Sequence, residues 1–432
     1  MSLAAGLGPY QEIYSIDECF VDVAGIRDIT KRAFRMRDRI EQWIGIPCGI
    51  GLGETKTLAK LANHVAKSAN RKPGSYPCRR LSIILSIMEA NVEMAKLDER
   101  ELAIRLRRDA EGIASSLITA YGLKFTKALD HLSSPLMRWL DFRFRYIDPQ
   151  PRQVVLSDRM ARLAIPEEAT RGLLKLFVQI NEGGDINPYQ GRGLTFRNDT
   201  SGADGSTRTD FLWADWGVHH LHLTPDPIPE GQFFSRPADY LAFCIIDAAS
   251  VAFIDVLPHP DARGFANQEL MRTVYRNWPE YLKQYELRGM LAGDPLTDEE
   301  IHTLRSKGVN TPIFIEGKAF MGPGFGLTSA RTPMRLTRAE DRIHSFLRAL
   351  AKGICDPAGQ FLPALTPGIE EPEFTLAVTP QGLAIFEEHS NMAFLLCKKG
   401  RPSDEHGLDL LCDLLAPEWA VTALVEADLK RS

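Results

Sequence analysis

The chain has 432 residues, with 51 Lys and Arg against 56 Asp and Glu, a formal net charge of -5. That balance excludes a protein whose whole surface is basic for nucleic acid, but it leaves room for a local basic patch. Hydrophobic residues at 44% and charged residues at 25% fit an ordinary globular chain of several domains. No apolar run approaches the roughly 20 residues of a membrane span, so no membrane partner is expected. The cysteines at 19, 48, 78, 244, 355, 397 and 412 form no CxxC pair. They predict reduced thiols and a cytoplasmic setting.

In chain order, residues 11–16 and 20–23 predict a β-hairpin, with the adjacent carboxylates Asp17 and Glu18 between the two arms. Two hard oxygen ligands at a turn suit Mg²⁺ beside a triphosphate. Asp28 is placed to cap a helix over residues 29–44, whose apolar stripe is Ile29, Ala33, Met36, Ile40 and Trp43. A short strand follows at 48–52. Thr55 then opens a helix on which Lys56, Lys60 and Lys67 share a face, at spacings of four and seven.

Tyr14-Ser15-Ile16-Asp17-Glu18-Cys19-Phe20-Val21-Asp22 resembles the Y-S-I-D-E-A-F-x-D segment of UmuC-type, Y-family translesion DNA polymerases. Gly49 to Lys67 resembles that family's G-I-G-x-x-x-T-K-T-L-A-K-L-A-N-x-x-A-K segment, in the same order and at the same separation. The likeness covers about Tyr10 to Gly74. It implies DNA repair by nucleotidyl transfer, with DNA and a nucleoside triphosphate as partners. Asp17 and Glu18 would be the catalytic carboxylates on Mg²⁺, Lys67 would contact the incoming triphosphate, and Lys56 and Lys60 would lie nearby. A further metal-binding Asp, the fingers, the thumb and the little finger find no counterpart in the sequence. The expectation is therefore an internal palm segment that contacts nucleotide and DNA without template-directed synthesis of its own.

The fold expected is α+β multidomain. Residues 1–77 would be a partial ferredoxin-like palm, β-β-α-β-α, lacking sheet partners. A seam falls at 78–80. Residues 81–290 would be a helical segment, beginning helical at Leu81, followed by an antiparallel β-meander with strands at 218–223, 240–246 and 251–257. Residues 291–355 form an α/β extension opened by the capping box Thr297…Glu300, and Gly322 to Gly326 reads as a flexible turn. Residues 373–432 form a small C-terminal α/β segment.

A second constellation lies in the meander: His219, His220 and His222, with His259 after the third strand. Strand parity puts His220 and His222 on one face and His219 on the other. His220, His222 and His259 are then a possible site, either for Zn²⁺ or for acid–base work on an RNA phosphodiester, with Arg263, Arg272 and Arg276 as a basic cradle. The alternative is local hydrogen bonding on a polar strand face. Three functions stay open: a UmuC-like DNA-repair segment, a nuclease or mobile-element defence module, and a non-catalytic scaffold.

Overall fold

The computed structural model describes residues 10–13, 18–23, 26–44, 48–53, 59–60, 81–86, 97–260, 265–290, 293–365, 369, 371–396 and 406–429. The chain is α+β and divides into two units, Met1–Lys96 and Leu97–Ser432.

In the first unit β1 (Tyr10–Ile13) pairs antiparallel with β2 (Glu18–Asp22), as the hairpin pattern predicts. Helix α1 spans Ile29–Ile44. Its buried Ala33, Met36 and Ile40 pack on Cys19, Val21 and Val23, while Phe20 turns to the other face and meets Ala59. The two-residue alternation of β2 thus gives each face of the sheet its own helical neighbour. Strand β3 (Cys48–Gly53) does not pair with β2 directly. Leu81–Ser86, expected to be helical, is strand β4, inserted between them in the order β1-β2-β4-β3 and parallel to both. It supplies the sheet partner that the expected palm lacked. The helical expectation failed because a continuous apolar run is also what a parallel strand with neighbours on both sides presents.

The second unit is built on a sheet in the order β5-β8-β7-β6. Strands β6 (His219–His222), β7 (Tyr240–Ile246) and β8 (Ser250–Pro258) form the expected antiparallel meander, and β5 (Gln153–Leu156) adds a parallel edge. Two helices precede the sheet, α2 (Glu99–Ala120) and α3 (Pro135–Arg145). Helix α4 (Glu167–Glu182) covers one sheet face, where Leu173, Leu176 and Ile180 meet Leu221, Ala242, Cys244 and Phe253. Gly172 lets it come close: a Cβ there would lie 2.7 Å from the Leu223 carbonyl carbon. Helix α5 (Phe211–Trp216) leads into β6. Helices α6 (Glu269–Asn277), α7 (Pro279–Lys283) and α8 (Asp298–Ser306) lie toward the opposite face, packing Leu270, Met271, Val274, Leu282 and Ile301 on Leu241, Phe243 and Ile254. The capping box of α8 is present as expected. Gly322 to Gly326, expected as a flexible turn, is instead clamped to the end of α5: Gly324 N donates to the Asp215 carbonyl (2.8 Å) and Gly326 N to that of Ala214 (3.1 Å).

The remaining chain adds the short hairpin β9 (Ile313–Ile315) and β10 (Lys318–Phe320), helix α9 (Met334–Cys355), a sheet of β11 (Phe374–Thr379), β12 (Gly382–Glu387) and β13 (Met392–Leu395), and helices α10 (His406–Leu415) and α11 (Glu418–Leu429). Helix α9 packs on α2 and α3. Among the described residues no helix is long and apolar enough to cross a membrane. Cys19, Cys244 and Cys355 are free thiols, but Cys412 is disulfide-bonded, which departs from uniformly reduced thiols. Spacing along the chain carries no information about which cysteines meet in space.

Trp419 of α11 ties the C-terminal helices to the rest. Its Nε1 donates to Asp148 Oδ1 (2.7 Å), and its ring lies 4.1 Å from that of Tyr146 and 5.4 Å from that of Tyr121, centroid to centroid. Trp419→Ala is expected to destabilise this unit by roughly 3 kcal/mol, through lost packing and an orphaned carboxylate contact. Denaturant unfolding followed by tryptophan fluorescence measures it.

Candidate active site

Helix α5 and strand β6 position the site. Asp210 caps α5, its Oδ1 accepting from Trp213 N (3.1 Å). Gly217 ends the helix in the left-handed conformation (φ 70°), and β6 starts two residues later. This short connection sets the Asp210 carboxylate beside the first imidazoles of the strand, with Oδ2 at 3.5 Å from His220 Nδ1.

His220 and His222 share a strand face, and His259 returns to the same rim. The His222 and His259 rings lie 5.7 Å apart and are stacked, and Phe265 packs 5.1 Å from the His220 ring. All three imidazoles line one cavity of about 680 Å³. His219, expected on the opposite face, lines it too. Parity assumes a regular strand, whereas His219 is the first residue of a four-residue edge strand leaving Gly217.

Local bonds set each imidazole's chemistry. Ala238 N–H donates to His222 Nδ1 (3.1 Å), so the neutral ring keeps its proton on Nε2 and is a donor. His220 Nδ1 is buried without a hydrogen-bond partner among the described residues, with Asp210 Oδ2 at 3.5 Å, and a Cβ on Gly191 would stand 3.4 Å from Nε2. Burial holds His219 down at about 3 and His222 at about 4, and also lowers His220, with Asp210 opposing that shift. The imidazoles with lowered pKa are therefore neutral at physiological pH.

Cations complete the wall. Arg145, 5% exposed, is held by the Asp141 carboxylate and by the carbonyl of Asp141 (3.2 Å). Arg305 is paired with Asp215 at 2.7 Å and lies 4.0 Å over the Trp216 ring. Arg192 and Arg197 are exposed on the loop over the cavity, with no ion pair among the described residues.

Several expectations fail here. Arg272 and Arg276 are no cradle, since they pair with Glu269 (2.9 Å) and Asp158 (3.0 Å), and Arg263 lies outside the described residues. Asp255 pairs with Arg159. Zn²⁺ at His220, His222 and His259 is not supported. Among the described residues the group whose ligand atoms come within 4.8 Å of one another is Glu111, Glu340 and His344, and Glu111 is already engaged by Leu136 N–H (2.9 Å). The imidazoles open on a cavity; they do not close on a point. Arg145, at the end of α3, and Arg305, on α8, were missed because they come from far along the chain; Asp210, ten residues before His220, carried a readable signal as an Asp one residue before an apolar helix start.

Of the site expected in the first unit, Asp17, Lys56 and Lys67 lie outside the described residues, and of Glu18 only the backbone is described, at the start of β2. Lys60 is helical and exposed. Two adjacent carboxylates are a donor set suited to Mg²⁺.

Residues 2–64 match the impB/mucB/samB family. The protein UmuC of Salmonella typhimurium is 32% identical over 138 residues, 30% of this chain and 29% of that protein. DNA polymerase IV of Moorella thermoacetica is 41% identical over 269 residues, 53% of this chain and 65% of that protein. MucB of Escherichia coli is 41% identical over 70 residues, 16% of this chain and 17% of its own length. The N-terminal unit carries a Y-family polymerase segment. The chain spans less than two-thirds of the length of each of these relatives. No solved structure matches the chain.

The buried imidazoles give the second unit a definite pH dependence. A neutral buried His whose pKa falls from 6.5 to about 3 or 4 leaves stability intact above pH 6.5. As pH drops from there the unfolded chain binds the protons first, and stability is lost progressively down to about pH 4 for His222 and about pH 3 for His219. His219→Asn and His222→Gln are each expected to flatten that decline, as read by denaturant midpoints across the range.

Proposed function

We propose that the chain joins a nucleotide- and DNA-contacting Y-family segment to a histidine-centred site that cleaves RNA phosphodiesters. The observation that carries the second part is the convergence of His220, His222 and His259 with Asp210 and Arg145 on one cavity. Its volume, about 680 Å³, is in the range of small-ligand sites.

His220 is the general base. Asp210 faces its Nδ1, so Nε2 is the atom that removes the proton of a ribose 2′-hydroxyl. The 2′-oxygen then bonds to phosphorus while the bond to the 5′-oxygen breaks. His259, the exposed imidazole, supplies a proton to the leaving 5′-oxygen. The products are a 2′,3′-cyclic phosphate and a 5′-hydroxyl. His222 donates its Nε2–H to a phosphoryl oxygen, and Arg145 offsets the charge that builds there. Asp210 is a positioning residue that acts through His220.

Cleavage of a labelled RNA by the full chain tests this. His220→Gln should lower kcat by about 10²–10⁴-fold. Asp210→Asn keeps the cap on α5 but removes the charge that favours the His220 imidazolium, so the acidic limb of the rate profile should move to lower pH. Activity that persists in His220→Gln, or equal cleavage of DNA lacking the 2′-hydroxyl, overturns the proposal.

In the Y-family segment Asp17 and Glu18 would hold Mg²⁺, which neutralises triphosphate charge when bound. Lys56, Lys60 and Lys67 would face phosphates of nucleotide or DNA. Binding of DNA should then weaken with salt, and charge reversal at Lys60 and Lys67 should lower affinity and flatten the salt slope. Unchanged binding in that variant would make the lysines a plain solvated face.

A further inference from the structure

We infer that the substrate of the histidine cavity is single-stranded, because the cavity mouth is built to stack an unpaired base. This deepens the RNA-cleavage proposal and rests on it for the chemistry. Three phenylalanines meet at the rim. Phe234 lines the cavity and is buried, with its ring 4.9 Å from that of Phe233 and 5.9 Å from that of Phe196. Phe196 is 57% exposed and Phe233 44% exposed. Two exposed aromatics packed on the same buried ring stand out on a surface, and here they adjoin cations with no ion pair among the described residues. Arg197 follows Phe196 in sequence, and Arg192 lies on the same loop.

Aromatic faces beside arginines bind unpaired bases and their phosphates, since every base has a face to stack and every linkage an anion to neutralise. Access gives a second, independent argument. The His220 side chain is only 19% exposed and lines a cavity of nucleotide size. A phosphate in a duplex cannot reach it while its base stays paired, so the reacting nucleotide must enter unpaired. The occupant with both features is a single strand, its base on Phe196 and Phe233 and its scissile phosphate inside.

The test measures binding and cleavage separately on the full chain. The probes are a labelled single-stranded RNA and the same sequence annealed as a blunt duplex, with wild type, Phe196→Ala/Phe233→Ala and Phe196→Trp. Both positions are largely exposed, so the double variant keeps the fold, which its unchanged denaturant midpoint verifies. The single strand should bind and be cleaved in preference to the duplex. The double variant should raise Kd and KM on the order of tenfold, with kcat little changed. Phe196→Trp should keep wild-type affinity, because tryptophan stacks as well. Equal use of the duplex, or affinity indifferent to the double variant, overturns the inference. Phe-dependent binding of the single strand without any cleavage supports the mouth and removes only the catalytic proposal.

Discussion

The second unit depends on how α3 buries its arginines. Arg138 is fully buried and Arg145 nearly so, and both reach the same Asp141 carboxylate, Arg138 at 3.6 Å. Two cations on one anion leave charge over, and carbonyls absorb it. Arg138 donates to those of Lys124 (2.8 Å) and Thr195 (3.2 Å), and Arg145 to that of Leu194 (3.4 Å). These carbonyls belong to the loop that roofs the cavity and to the segment after α2. The charges on α3 therefore tie this irregular loop to the helix, and with it the positions of Arg192, Phe196 and Arg197. Such a cluster is a weak source of net stability, yet removing one member would strand a buried charge, and that penalty enforces a single loop conformation.

Asp215 does similar work from the other side of the cavity. Its carboxylate pairs with Arg305, both nearly buried, and its carbonyl accepts from Gly324 N. A Cβ on Gly324 would come within 2.2 Å of the Ala214 carbonyl oxygen, so only glycine lets the two backbones approach. Helix α5, with six residues, is too short to hold itself in water. Its ends are held by the Asp210 cap and by this clamp. The helix in turn fixes the distance between Asp210 and His220.

What the sequence made legible was local. The capping box at Thr297, the helix over residues 29–44 and the meander strands were readable from local patterns, capping at Thr297 and periodicity at the helix and the strands. The grouping of His220, His222 and His259 followed from strand parity, since a two-residue period and a three-strand meander fix which ends come back together. Leu81–Ser86 was misread because a short apolar run fits a helix face and a central strand equally well, and only the partners decide. Arg145 and the Phe196–Phe233–Phe234 rim carried no sequence signal. Arg145 ends α3, Phe196 sits on a loop that the buried charges of α3 hold, and Phe233 and Phe234 come from the separate stretch between β6 and β7, so no local pattern encodes their meeting.

The electrostatics of the cavity bear on how the proposed chemistry would be gated. Desolvation keeps His220 neutral, and the neighbouring Arg145 and His259 push the same way, with only Asp210 opposing. An imidazole in that setting is ready to accept a proton but poorly placed to keep one, so the cavity holds the proposed base unprotonated. A phosphodiester entering between His220 and Arg145 brings a negative charge into a low-dielectric space, where it counts for far more than in water. It neutralises part of the cationic field and favours the imidazolium, so the base strengthens when substrate arrives. The burial that lowers the histidines' pKa values is thus the feature that would couple proton transfer to occupancy of the site, and it follows from placing the imidazoles behind a loop that buried arginines hold in place.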